Sequence, residues 1–255
     1  MKNPSKLHKL LRKQMEKAIL EYRMIEKGDR VMVGVSGGVD SLTLLKLLME
    51  RKNYLALDFS LTAVHVDLGF EKVKGYQKRL EDFVKSLGME YHLISTQISK
   101  AALAPDATKN PCFICSHYRR KKIYEAAHRE KCNKIAYGHH KDDIIETLLM
   151  NILYSRKIEA MNPVQEVFKG NMFIIRPLTY VYENSIKKFA RESHFPLLKT
   201  GCPVDGTTRR ETVKAIIKNL EKKEKKSNIK ENIFKSLRHV NVSFSSQSLN
   251  NKDKG

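Results

Sequence analysis

The chain has 255 residues, 41% of them hydrophobic, with 48 Lys and Arg against 28 Asp and Glu and a net charge of +20. That apolar content excludes an intrinsically disordered chain, and the length suffices for one full domain with extensions or for two small ones. No apolar run approaches the roughly 20 residues of a membrane span, and the charge excess points to a polyanion such as RNA or DNA, or else to a solvated lysine-rich surface.

The first residues, MKNPSKLHKLLRK, lack the apolar stretch of a signal peptide, so the cytoplasm is the expected compartment. There the four cysteines stay reduced, as metal ligands or redox thiols rather than disulfides. Residues 5–27 carry Leu7, Leu10, Leu11, Met15, Ile19 and Leu20 at the spacing of one helix face, with Lys and Arg opposite. RVMVGV then reads as a buried strand, SGGVDS breaks it, and LTLLKLLMERK follows as a helix. SLTAVHVDLG predicts a second strand, VKGYQKRLEDFVKSLG a helix, and MEYHLIS a third strand. Periodicity lapses into loop between Gln97 and Pro111, and a basic helix covers Ser116 to Glu130. NKIAYG is the fourth strand, HHKDD opens the helix IIETLLMNILY, FIIRPL is the fifth strand, and NSIKKFARESH is helical. This alternation predicts an α/β fold with a doubly wound, parallel, five-stranded sheet.

The expected organisation is a basic N-terminal helix (1–28), an α/β domain with a Cys-x-x-Cys insertion (29–200), a helical C-terminal segment (201–245) and a disordered tail (246–255). Within the C-terminal segment, one helix is predicted from about Thr208 to Leu220, and an amphipathic stretch covers NIKENIFKSLRHV.

The segment from Val31 to Ser41 carries the clearest chemistry. A strand ends at Val35, Gly37 and Gly38 let the backbone turn tightly, and a helix begins near Asp40. Inward N–H groups and about half a positive charge at the helix start make an anion cradle, to which Ser36 and Ser41 add hydroxyl donors. No lysine precedes Ser41, so this is not the Walker pattern of γ-phosphate hydrolases. The SGGVDS string after an apolar strand resembles the pyrophosphate-loop (PP-loop) ATPases, which adenylate an oxygen of their substrate and release pyrophosphate. That resemblance implies ATP contacts from Val35, Ser36, Gly37, Gly38, Asp40 and Ser41 around the phosphates. It also implies contacts from His65 and Val66 beside the adenosine, with Gly138 and His139 completing the site.

Cys112 and Cys115 stand in PCFICSHYRRKKIYEAA at a spacing that lets two thiolates reach one metal or cluster. The pair alone also suits half a zinc site, a redox dithiol or two packed thiols. Cys202 precedes a proline, as cluster ligands often do, while Cys132 lies just before a strand and reads as a packed structural thiol. Three thiolates suit a [4Fe–4S] cluster with one open iron, and zinc with three cysteines and His117 or His139 is the alternative. GHHKDD follows the fourth strand at its carboxyl end, where open α/β sheets bind ligands. There Asp142 and Asp143 either carry Mg²⁺ or cap the helix they open.

CFICSHYRR, GHHKDDIIETLLMNILY, EAMNP, IIRPL and GCP, in that order, resemble the tRNA 2-thiocytidine synthetase (TtcA) family from about Arg30 to Leu220. The resemblance implies ATP, Mg²⁺, a [4Fe–4S] cluster on Cys112, Cys115 and Cys202, and an anticodon-loop cytidine of tRNA as substrate. Asp40 and Asp142 are then expected to join the three cysteines in catalysis. A sulfur donor, either a persulfide-bearing desulfurase or free sulfide, is required, and a homodimer is allowed. The family usually has lysine where this chain has Val39. Arg119, Arg120, Lys121, Lys122, Arg209 and Arg210 are expected to contact RNA phosphates, against the alternative of solvated helix faces. The competing functions are an ATP-dependent amide ligase, a PP-loop enzyme acting on another base, and a non-catalytic RNA-binding module with structural zinc.

Overall fold

The computed structural model describes residues 4–54, 58–70, 75–108, 110–197, 202–203 and 209–240. The expected disordered tail at 246–255 lies outside them, as do Gly201 and Thr208. The elements run α1 (Lys6–Glu21), β1 (Arg30–Gly34), α2 (Val39–Tyr54), β2 (Ser60–Asp67), α3 (Tyr76–Ser86), β3 (Glu90–Ser95) and α4 (Ile98–Ala102). They continue as α5 (Pro111–Arg129), β4 (Lys134–Ala136), α6 (Lys141–Ser155), β5 (Val164–Val167), β6 (Met172–Ile175), α7 (Glu183–Glu192), α8 (Arg209–Lys223) and α9 (Ile229–Ser236).

The sheet order is β3-β2-β1-β4-β6-β5, and its first five strands are parallel. The expected five strands are present, and a sixth, β5, pairs antiparallel with β6 at the edge. β5 is VQEV with two exposed residues, so it offers neither a continuous apolar run nor a second partner to announce it. The expected loop from Gln97 to Pro111 contains α4, which at five residues is too short to register as helical periodicity.

Two helical layers cover the sheet, and the two-residue repeat of the strands divides the core between them. Val31, Val33, Leu61, Ala63, Ala136 and Ile175 face α1, α2, α3 and α7. Met32, Val64, Val66, Ile135 and Met172 face the other way, towards Ile98 of α4 and Ile123, Ala126 and Ala127 of α5. Helix α1 belongs to the first layer, because Leu11 and Met15 are fully buried. At the amino ends of β1 and β4, the buried pair Asp29–Lys134 (2.6 Å) is braced by Asn133 Nδ2 donating to Asp29.

The chain divides into two compact units, one from Met1–Asp143 with Asn162–Thr207, the other from Ile144–Met161 with Thr208–Gly255. The boundary falls inside α6, just after Asp143. The second unit has its own small core of Ile145, Val213 and Ile217, flanked by Leu149, Met150, Ile233 and Phe234. Among the described residues, no helix is long and apolar enough to cross a membrane.

Candidate active site

Sheet order reverses direction between β1 and β4, which opens a crevice at their carboxyl ends. The loop after β1 is closed by its own hydrogen bonds. Ser36 N–H donates to Ser41 Oγ (3.1 Å), Ser41 Oγ donates to Gly38 O (3.1 Å), and Gly38 N–H donates to Ser36 Oγ (3.3 Å). Gly37 turns the chain in the left-handed region at φ 84°, where a side chain is costly. Val35 N–H donates to Val64 O of β2 (2.8 Å), and His65 Nδ1 lies 2.8 Å from Val35 O. Since a carbonyl only accepts, that contact places a proton on His65 Nδ1. Val66 is buried among the α5-side core residues. Asp67, one residue on, is tied to Gly69 N–H and Gln77.

The loop after β4 presses on this turn. A Cβ at Gly138 would stand 2.9 Å from Asp40 C and 3.0 Å from Ser41 N, so only glycine fits there. His140 Nε2 lies 3.7 Å from Asp40 Oδ1, a buried oxygen that has no hydrogen-bond partner. Burial raises the Asp40 pKa above its ordinary value; His140 opposes the rise, and Asp143 and Glu183 add to it.

Asp142 and Asp143 both accept backbone N–H groups at helix starts. Asp142 Oδ2 accepts the Glu183 N–H (2.8 Å) at the start of α7. Asp143 Oδ2 accepts the His140 N–H (3.0 Å), and His140 Nδ1 in turn accepts the Asp143 N–H (3.3 Å) at the start of α6. These contacts fit the capping role considered for the pair.

Arg176 is a residue the sequence reading passed over. Its guanidinium is buried, with its pKa lowered by that burial, and Nε donates to His139 Nδ1 (3.3 Å). It also reaches Asn162 O and Gln165 Oε1. An arginine can only donate, so His139 must accept at Nδ1, and the neutral ring carries its proton on Nε2. The hints in the sequence were a cation directly after the apolar run FII and its place in the IIRPL string.

Cys112 and Cys115 occupy the start of α5. Asn110 caps the helix by accepting the Cys112 N–H (2.9 Å), and Pro111 takes the first helical position. Cys112 is exposed, Cys115 and Cys202 are half-buried, and all three are free thiols. The Cys115 thiol is pushed up by burial first, then by Cys202 and Cys112, while Arg119 pulls it down. Cys202, 87 positions further along the chain, thus shares the electrostatic neighbourhood of the pair. Three free thiols, two of them on the first turn of one helix, are a donor set that fits an iron–sulfur cluster. Cys132 is buried in the α5-side core, as a packed thiol should be. His117 stacks on Phe113 (centroids 5.9 Å).

Of the basic residues, Arg120 and Lys121 are exposed on α5, and Lys122 pairs with Glu125 (2.8 Å). In the second unit, Arg209 lies over the Tyr154 ring (5.0 Å) and Arg210 is 3.7 Å from buried Glu146, so both cations have protein partners.

Residues 6–220 match the PP-loop domain family. The chain is 36% identical over 241 residues to tRNA-cytidine(32) 2-sulfurtransferase of Hahella chejuensis, covering 92% of this chain and 82% of the relative. It is 37% identical over 243 residues to the enzyme of that name from Saccharophagus degradans, covering 94% and 76%. Among solved structures it resembles the U34-tRNA thiolase NcsA from Methanococcus maripaludis with its [4Fe-4S] cluster, at TM-score 0.74 and 25% identity over 92% of this chain and 80% of that one. Match length, identity and site geometry agree, and the chain belongs to the tRNA 2-thiocytidine synthetase family of PP-loop proteins.

Proposed function

We propose that this chain uses ATP and a [4Fe–4S] cluster to replace the C2 oxygen of cytidine 32 of tRNA with sulfur. The observation that carries this reading is that Cys112, Cys115 and Cys202, within electrostatic reach of one another at Cys115, belong to the same compact unit as a closed phosphate loop. The curated relatives support the cytidine, being 36–37% identical, whereas the uridine thiolase stands at 25%.

The cytosine C2 oxygen is a poor leaving group, which is why ATP is needed. Its attack on the α-phosphate forms the C2–O–P link and releases pyrophosphate. Attack of sulfur on C2 then forms the C–S bond, breaks the C2–O bond and releases AMP. Loop N–H groups and the start of α2 hold the phosphates and stabilise the charge that gathers on the pyrophosphate. Asp40, whose Oδ1 is buried without a hydrogen-bond partner, is the carboxylate suited to share Mg²⁺ with phosphate oxygens. Asp142 and Asp143 act instead as positioning residues, anchoring α7 and α6 to the loop that carries His139. Arg176 holds the His139 ring in one tautomer. Cys112, Cys115 and Cys202 hold the cluster, which when bound supplies an open iron for the incoming sulfur.

The test is protein purified without oxygen, analysed for iron and acid-labile sulfide, then incubated with ATP, sulfide and a tRNA transcript. The reading predicts near four irons per chain, 2-thiocytidine in the transcript, and pyrophosphate and AMP in equal amounts. Cys202→Ser should lose iron and thiolation together. Full thiolation by that variant would overturn the cluster role, and thiouridine at position 34 instead of thiocytidine would move the substrate to the other base.

A further inference from the structure

Helix α5 runs from the cysteines in its first turn to His128 in its last, a few residues ahead of the amino end of β4. Along it lies a groove of about 1060 Å³ that the proposed reaction does not use. One wall is the α5 stripe His117, Arg120, Lys121, Tyr124 and His128, spaced for a single helix face, and the other is the β5–β6 hairpin with Phe168. Its floor is the buried pair Cys132 and Met172.

Charge in the groove is one-sided. Arg120, Lys121 and Lys131 line it with two histidines, while the single carboxylate, Glu125, is paired with Lys122. The aromatic groups are placed at some cost. Phe168 is 55% exposed and adopts φ 54° in the hairpin turn, where glycine or asparagine would sit more easily. It meets Tyr124 edge-on, with ring centroids 5.2 Å apart. An exposed ring set among cations, on a groove about 16 Å long by helical rise from His117 to His128, is the chemistry that receives unpaired nucleotides.

We propose that this groove docks the unpaired strand of the tRNA anticodon loop, with one base stacked on the exposed ring of Phe168 and the neighbouring phosphates held by Arg120, Lys121, His128 and Lys131. The proposal rests on the tRNA reading above. It gives the fold a second RNA contact, leading away from the cysteines along α5, that fixes which nucleotide reaches the site.

Unaltered protein is first titrated with an anticodon stem-loop transcript across a range of salt. No binding at this stage would sink the tRNA reading itself, and the groove with it. If the transcript binds, Phe168→Ala should weaken binding about tenfold and raise KM with kcat nearly unchanged. Phe168→Trp should restore it. The double variant Lys121→Ala/Lys131→Ala should flatten the slope of log K against log salt by about one to two. Iron content and ATP affinity should stay at the unaltered values in every variant. Wild-type KM and salt slope in these variants would overturn the groove while leaving the function standing. Self-association that Phe168→Ala abolishes, with RNA binding intact, would assign the face to a second copy of the chain and also overturn it.

Discussion

The phosphate loop and the cysteine site are built by opposite means. The loop is complete in the protein alone: Ser36, Gly38 and Ser41 satisfy one another, and Gly138 packs against Asp40 without room for a methyl group. The three thiols instead join one helical turn to a residue 87 positions further on, and Cys202 and Cys112 both push the Cys115 pKa up. A preformed cradle binds its ligand with little reorganisation, whereas a set of mutually repelling thiolates gains stability from the metal it holds. The first site should be sensitive to shape and the second to ligand count.

Cys112→Ser offers the largest contrast. It should reduce thiolation to background and strip the iron, yet leave ATP affinity within about twofold, since sites so separated in mechanism add independently. Iron analysis and equilibrium ATP binding check both halves. Gly138→Ala should do the reverse. Its methyl group would force the loop open, costing about 1–3 kcal/mol of stability, and ATP affinity should fall while the iron content persists.

Asp40→Asn tests the loop more finely. Loss of the carboxylate should lower kcat about a hundredfold, the order seen when one transition-state electrostatic contact is removed. Because the native pKa lies above the unfolded one, ionised Asp40 opposes folding at neutral pH, and this opposition disappears as pH falls below the unfolded value. The asparagine variant should therefore melt higher than the parent at neutral pH and equal to it in acid. In the parent, activity should decline on the acid side as pH drops through the raised pKa. The smallest effect belongs to Asn110→Ala, which removes the α5 cap. It should cost about 1 kcal/mol by denaturant unfolding and loosen the cluster without abolishing it.

What the sequence determined by itself was local. Five strands and the main helices followed from runs and periodicities, and the phosphate loop followed from SGGVDS after a buried strand. Cys112 and Cys115 were legible because their ligand spacing lies within one helical turn. What only the tertiary structure decided was long-range. The tie between Asp142 and α7 is of this kind, because its partner Glu183 lies 41 positions on. Arg176 sits in the IIRPL string without an evident role there and gains one from His139 on the neighbouring strand's loop, 37 positions earlier. Strand β5 and the groove above it depend on pairing with β6 and on the face of α5, and a four-residue edge strand with two exposed residues carries too little pattern to predict either. Periodicity records which side of an element is buried, whereas a site records which elements meet, and that depends on the order of strands in the sheet.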